Sequence, residues 1–313
     1  MELIQKIGSS AEGGPKIWTV SSGKGGVGKT FISTSLAFTL SKLGHSVVIA
    51  DLDFSGANVH TALGLKPSHL NIRHYIEGSK TLNELVIPTP FPHLSYIQGY
   101  WDTWAPADIS SLNTQALMHD LKKIKADYVI IDTGYGVLDK YLEIFKFSDE
   151  KILVTSTEPT SIEKTYRFIE NFICYSLKDK STPESFAKLI KTLRDYRQKI
   201  LNKPFSFRSY LKESDGFTLE PFLALSRQPI RLVLNSVRSQ SLVELGFSMK
   251  SVCYKYYDLR IDYIGGLDYD NAVWQSIKNR EPVLIAQPFT PLAGQFLAMC
   301  KHLIDPEELR AVV

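Results

Sequence analysis

The sequence predicts an α/β protein in three layers, a mostly parallel central sheet with helices on both faces. Three observations predict it. An apolar, β-prone run (Ile17 to Val20) feeds a glycine-rich turn, and a helical pattern follows directly. Short β-branched runs then alternate with helical stripes along the chain, the order that right-handed crossovers turn into a parallel sheet. Two of those runs end in carboxylates, Asp51-Leu52-Asp53 and Asp132, where ligands bind in open α/β sheets.

The turn itself, Gly23-Lys24-Gly25-Gly26-Val27-Gly28-Lys29-Thr30, fits the phosphate-binding pattern G-x-x-x-x-G-K-[ST]. Glycines let successive N–H groups converge on one anion, and the following helix points its positive end at the same place. Lys29 supplies a point charge for β- and γ-phosphates, and the Thr30 hydroxyl is placed for Mg²⁺. Phe31 to Leu43 carries apolar residues at helical spacing, closed by Gly44. Ser46 to Ala50 reads as a buried strand whose alternation puts Asp51 and Asp53 on one side. Two carboxylates beside a triphosphate require Mg²⁺ or water between them; helix N-capping is their other reading.

Residues 61 to 110 are broken by Pro67, Pro88, Pro90, Pro92 and Pro106. Leu82 to Val86 reads as a helical turn and Leu94 to Gln98 as a strand. Tyr100, Trp101 and Trp104 fit core packing or a loop lid, or a partner-binding patch. Ser111 to Lys125 reads as a helix. Asp127 to Asp132 is a strand that delivers a carboxylate to a Mg²⁺ water shell. Lys151 to Thr155 is the next strand, followed by a helix to about Ser176.

A basic amphipathic helix follows Ser181. Phe186, Leu189, Ile190, Leu193, Tyr196, Ile200 and Leu201 form its stripe; Lys188, Lys191, Arg194, Arg197 and Lys199 decorate the other face. It fits a surface helix docked on its own domain, a partner-protein surface, or contact with a membrane or nucleic acid. Ile230 to Asn235 resumes the sheet. Ser239 to Tyr256 reads as a helix, Asp262 to Gly265 as a strand end, Gly266 to Lys278 as entry into another helix, and Leu292 to Leu303 as the last.

The chain has 313 residues and a formal net charge of +3, too slight to argue for nucleic acid. Cys174, Cys253 and Cys300 form no C-x-x-C and read as thiols in a reducing compartment. No secretory core or run of 18 apolar residues is present. Residues 1–15 read as a flexible segment. Residues 16–313 read as one domain carrying an inserted, partly helical stretch at about 177–229.

The second lysine inside the loop, Lys24, makes K-G-G-x-G-K-T, so the sequence resembles the MinD/ParA group of deviant Walker A ATPases, with their P-loop NTPase fold. The stretch Asp51 to His60 looks closest to MinD and the flagellar-number regulators of the FlhG or FleN type. The resemblance implies ATP and ADP as ligands, Mg²⁺ as cofactor, and an ATP-dependent homodimer in which Lys24 reaches the partner's nucleotide. It implies that Asp53 positions the attacking water and that Asp51 and Asp132 hold Mg²⁺ through water, with Thr30 as direct ligand. Asp51 to Asn58 and Asp132 to Gly136 correspond to the two switches, with Glu158 near the dimer face. Asn235 matches the adenine-binding position, and Pro288 and Phe289 would pack on the base. Phe31 stands where the family usually has a Thr near the α-phosphate, a change that would shift nucleotide affinity. The chain lacks the D-Q-A-x-x-L segment, and its acidic tail from Asp305 to Val313 differs from MinD's basic membrane helix. The implied role is a slow, partner-stimulated ATPase that positions or counts a cellular structure. It would be cytoplasmic, reaching a pole or membrane through an unidentified activating or cargo protein. A nucleotide-binding scaffold and a DNA-partitioning ATPase are the alternatives.

Overall fold

Strand after strand in this chain alternates its buried side chains between two helical layers. A computed structural model describes residues 14–100, 111–198, 205–239 and 242–305. Trp101, Trp104, Lys199, Ile200, Leu201, most of the N-terminal segment and nearly all of the acidic tail lie outside the described residues.

The strands are β1 (Lys16–Ser21), β2 (Val47–Leu52), β3 (Val86–Pro88), β4 (Leu94–Ile97), β5 (Tyr128–Thr133), β6 (Glu150–Ser156), β7 (Ile230–Val237) and β8 (Ile261–Asp268). They form one sheet in the order β3-β4-β2-β5-β1-β6-β7-β8. The pairings are parallel except β3 with β4. The side-chain period of two assigns the faces. Trp18, Val20, Ile130, Ile152, Val154 and Val233 enter one core. Their neighbours Ile17, Val129 and Ile131, and Leu153, Leu232 and Leu234, enter cores on the other side.

The helices are α1 (Lys29–Lys42), α2 (Val59–Ala62), α3 (Arg73–Ile76), α4 (Thr114–Leu121), α5 (Asp139–Phe147), α6 (Pro159–Lys178) and α7 (Pro183–Arg197). They continue with α8 (Phe207–Glu213), α9 (Leu219–Arg227), α10 (Glu244–Val252), α11 (Asn271–Asn279), α12 (Val283–Ala286) and α13 (Pro291–Ile304). Residues Leu82–Leu85 form a 3₁₀ turn capped reciprocally by Thr81 and Glu84. Helices α1 and α13 cover one face; α5, α6 and α10 cover the other.

Four sequence expectations change. The helix expected over Ser111 to Lys125 is only α4, because the Asn113 side chain caps it by accepting from the Ala116 N–H at 3.0 Å. The helix expected over Ser239 to Tyr256 starts at Glu244 and widens into a π-turn at Cys253–Tyr257, stopped by Asp258 at φ 51°. Asp262 to Gly265 is the middle of β8, not a strand end. Pro282 opens an unforeseen short helix, α12. Helix α7 docks its stripe: Leu189 and Leu193 are buried in the core shared with α6, α8 and α9. All three cysteines are buried free thiols. Among the described residues no helix is long and apolar enough to cross a membrane.

Candidate functional site

The carboxyl ends of β1, β2 and β5 meet at the start of α1. Gly28, at φ 94°, is the N-cap, and no side chain caps the first turn. The N–H groups of Lys29, Thr30 and Phe31 therefore open toward the loop, as uncapped first-turn donors do. Gly28 also faces Asn235: a Cβ there would lie 2.2 Å from the Asn235 Nδ2. A Cβ on Gly23 would lie 2.1 Å from the Lys164 carbonyl oxygen, so α6 rests directly on the loop. Both approaches need glycine.

Acidic and basic groups converge beneath this turn. Thr30 donates its hydroxyl to Asp132 Oδ2 at 2.6 Å, and Ser33 donates to Oδ1 at 2.9 Å. Asp51, wholly buried, accepts from the Asp53 N–H at 3.2 Å and the Val59 N–H at 3.0 Å. Asp53 lies just past β2 and accepts from the Ser55 N–H and hydroxyl. Burial pushes Asp51 well above the ordinary carboxylate range, and the nearby Asp132 charge adds to it. Burial also pushes Asp132 up to about 6, against the Thr30 hydroxyl and the Lys29 charge. Burial lowers Lys29, while Asp132 and Asp53 pull it upward.

The site therefore gathers three carboxyl groups around Lys29, two of them buried where ionisation is disfavoured. Among the described residues no three Asp, Glu, His or Cys side chains converge to hold a metal directly. One hydroxyl beside buried carboxylates suits Mg²⁺, which keeps several waters and takes substrate phosphate oxygens as ligands. The residues present fit that ion.

Lys24 stays at the surface. Its Nζ donates to Glu158 Oε2 at 2.7 Å and to Thr160 Oγ1 at 3.2 Å, across the start of α6. That contact holds Glu158 below its ordinary range. Gly136, at φ 92°, donates its N–H to the Ser22 carbonyl at 3.0 Å. Asn58 precedes α2 and lines, with Thr30 and Phe31, a cavity of about 150 Å³.

Four of the expected nucleotide contacts sit differently from the rest. The Asn235 amide donates to the Val27 carbonyl at 2.8 Å, bracing the loop rather than standing free. Pro288 and Phe289 precede α13, and Phe289 is 98% exposed. Phe31 packs edge-on against Phe296 of α13, centroids 5.4 Å apart.

The structure adds two residues. Ser33, one turn into α1, is the second hydroxyl on Asp132. Tyr135 lays its ring over the loop, 5.7 Å from Lys29 Nζ, and would touch any Cβ added to Gly25 at 3.2 Å. Its position inside Asp-Thr-Gly-Tyr-Gly was the available signal.

A protein-family model described as ParA, NUBPL iron-transfer P-loop NTPase, matches residues 15–178. The chain is 24% identical over 291 residues to the antiactivator FleN of Pseudomonas aeruginosa, covering 92% of this chain and 86% of that protein. It is 31% identical over 177 residues to the flagellum site-determining protein YlxH of Helicobacter pylori, 56% of this chain and 58% of that one. It is 28% identical over 155 residues to the septum site-determining protein MinD of Escherichia coli, 49% of this chain and 57% of that one. The matches to YlxH and MinD thus span less than two thirds of those proteins. Among solved structures, MinD complexed with Mg-ADP from Pyrococcus horikoshii aligns with TM-score 0.64 at 17% identity, covering 96% of this chain and 100% of that one. A ParA family ATPase from Chlorobium tepidum aligns with TM-score 0.60 at 17% identity, covering 92% and 99%. At such identities the likeness is one of fold.

Proposed function

This chain belongs to the ParA family of P-loop NTPases, and from that premise we propose that it is an ATP-dependent dimerising switch that hydrolyses ATP slowly. One observation carries the reading. Lys29, Thr30, Asp51, Asp53 and Asp132 share one end of the sheet, while Lys24 waits at the exposed rim on a surface ion pair.

The open N–H groups of the first turn of α1 and the Lys29 ammonium bind the β- and γ-phosphates. The Thr30 hydroxyl and, through water, Asp132 and Asp51 would hold Mg²⁺, which would supply charge neutralisation on those phosphates. Thr30 must then turn its proton away from Asp132 so that its oxygen can serve as ligand. Asp53 orients a water in line with the γ-phosphorus. The water oxygen forms the new P–O bond, the bond to the β-phosphate bridging oxygen breaks, the water's proton passes to an oxygen of the transferred phosphoryl group, and ADP and phosphate result. Gly136 exchanges its bond to Ser22 for the γ-phosphate, which gives the second switch two discrete states.

Lys24 leaves Glu158 and Thr160 to reach the nucleotide of a second copy. Its contacts end with the γ-phosphate, so the dimer separates after hydrolysis. Residues 16–313 act as one domain, with α7 to α9 as an insertion. The names of the relatives, which determine flagellum and septum sites, support a role in positioning or counting a cellular structure. An activating or cargo protein would set the rate, and contact with a membrane or pole would pass through it.

Sedimentation in Mg²⁺ with ATP tests the dimer. Wild type should double its mass, and Lys24→Ala should not. Phosphate release should fall steeply in Asp53→Ala. A Lys24→Ala protein that dimerises like wild type removes the cross-subunit step. An Asp53→Ala protein of unchanged turnover removes the hydrolytic one and leaves a nucleotide-binding scaffold.

A further inference from the structure

At the end of the sheet opposite the phosphate loop, α9 closes a cavity of about 270 Å³ against α6 and the start of β6. Three lysines line it: Lys146 at the end of α5, Lys151 near the start of β6, and Lys180 just past α6. Phe172, Pro221, Ala224 and Leu225 give it an apolar wall.

Lys151 is only 5% exposed. Its Nζ donates to the Ser148 carbonyl at 2.9 Å and the Gln228 side-chain oxygen at 2.7 Å. An ammonium has three donors, and the third meets no acceptor among the described residues. The two flanking carboxylates are committed elsewhere, Asp149 to Lys122 at 2.6 Å and Glu150 to Arg231 at 2.8 Å. Lys146 lies 5.9 Å over the ring of Tyr175 and forms no ion pair among the described residues. Neither does Lys180. Asp179 and Glu143 act on Lys146 only at longer range, and Lys180 opposes it. Asp139 is taken by Lys178 at 3.3 Å.

A buried ammonium without a counter-ion is costly. Burial accordingly lowers Lys151 to about 8, against the attraction of Glu150 and Asp149. An arriving anion would supply the missing charge, and the apolar wall would take a hydrocarbon chain beside it.

We propose that this cavity binds an anion carrying a short hydrocarbon chain, an alkyl carboxylate or alkyl phosphate. Its head rests on Lys151 between Lys146 and Lys180, and its chain lies against Phe172, Pro221, Ala224 and Leu225. The ligand is either a free amphiphile or the headgroup end of an anionic lipid. The site depends on α9, which gives the segment between α6 and β7 a binding role of its own.

Calorimetric titration of the full chain with octanoate and with octyl phosphate tests this. Inorganic phosphate and octanol serve as head-only and tail-only probes. Saturable binding of octanoate or octyl phosphate is expected, with both controls weaker. Lys151→Met should weaken binding by about tenfold or more. Because Lys151 is buried, the Lys146→Gln, Lys180→Gln double variant provides a second test at more accessible positions, with a loss of about threefold or more expected. No saturable binding of either amphiphile overturns the proposal. So does equal affinity in wild type and the double variant, or inorganic phosphate binding as well as octyl phosphate. Flotation with phosphatidylglycerol and phosphatidylcholine vesicles then separates the sources. Retention on the anionic vesicles alone, lost in the double variant, assigns a lipid; octanoate binding without retention assigns a free amphiphile.

Discussion

Replacing Asp132 with asparagine should make the nucleotide-free protein more stable while disabling it. The buried carboxyl rises from an ordinary 3.8 to about 6, so near neutral pH the folded chain carries an ionised group it disfavours. At ~1.4 kcal/mol per pH unit, that rise corresponds to about 3 kcal/mol. Asparagine removes the charge but keeps one acceptor oxygen for the two hydroxyls of Thr30 and Ser33, its amide nitrogen donating to the other, a loss of about 1 kcal/mol. The net gain is about 2 kcal/mol, or roughly 4 °C in a chain of this size. The sign follows from proton uptake. A folded state with a raised carboxyl pKa binds more protons than the unfolded state between 3.8 and about 6. This contribution to stability is therefore fully present below the lower value and lost as pH rises through the upper one. Thermal unfolding without nucleotide or Mg²⁺ should show Asp132→Asn above wild type at pH 7.5, with the gap narrowing at pH 5. Adding Mg²⁺ and an ATP analogue should raise wild type far more than the variant. A variant that melts below wild type, by the same margin at both pH values, would refute the electrostatic account.

Gly28→Ala should abolish nucleotide binding and cost about 1–3 kcal/mol, because φ is 94° and the new Cβ meets Asn235. Asn235→Ala in the same chain should recover only part of the stability, and wild-type ATP affinity in Gly28→Ala would remove the loop as the phosphate site. Phe31→Thr should lose about 1–2 kcal/mol of packing against Phe296 while tightening ATP about threefold or more through a new hydroxyl contact; weaker ATP binding in calorimetry contradicts that. Glu158→Gln loosens the hold on Lys24 and should lower the ATP concentration at which half the protein sediments as dimer, whereas an unmoved midpoint means that the pair restrains nothing.

Much of the sheet and the phosphate loop could be read directly because local chemistry dictates them. Val129-Ile130-Ile131 alternates between two cores, and the pattern Gly23 to Thr30 has few other uses. The strand of Asp51 was legible, but its wholly buried carboxylate was not, since the N–H groups of Val59 and Asp53 hold it after the chain has turned back. The bond from Asn235 to Val27 joins residues 208 positions apart, a separation at which neither propensity nor periodicity carries information. Helix ends failed where side chains intervened, Asn113 shortening α4 and Asp258 stopping the π-turn in a left-handed conformation. Tyr135 stood in view inside Asp132-Thr-Gly-Tyr-Gly136, yet only the folded chain reveals that its ring covers Gly25 and Lys29.

The reversed strand β3 has a consequence for assembly. It is three residues long, runs against its neighbour and ends in Pro88, which has no N–H to offer. A foreign strand arriving at that margin finds little ladder to extend, so growth into sheet-continued fibres is discouraged there. At that margin the protein offers another chain side-chain surface rather than backbone to pair with.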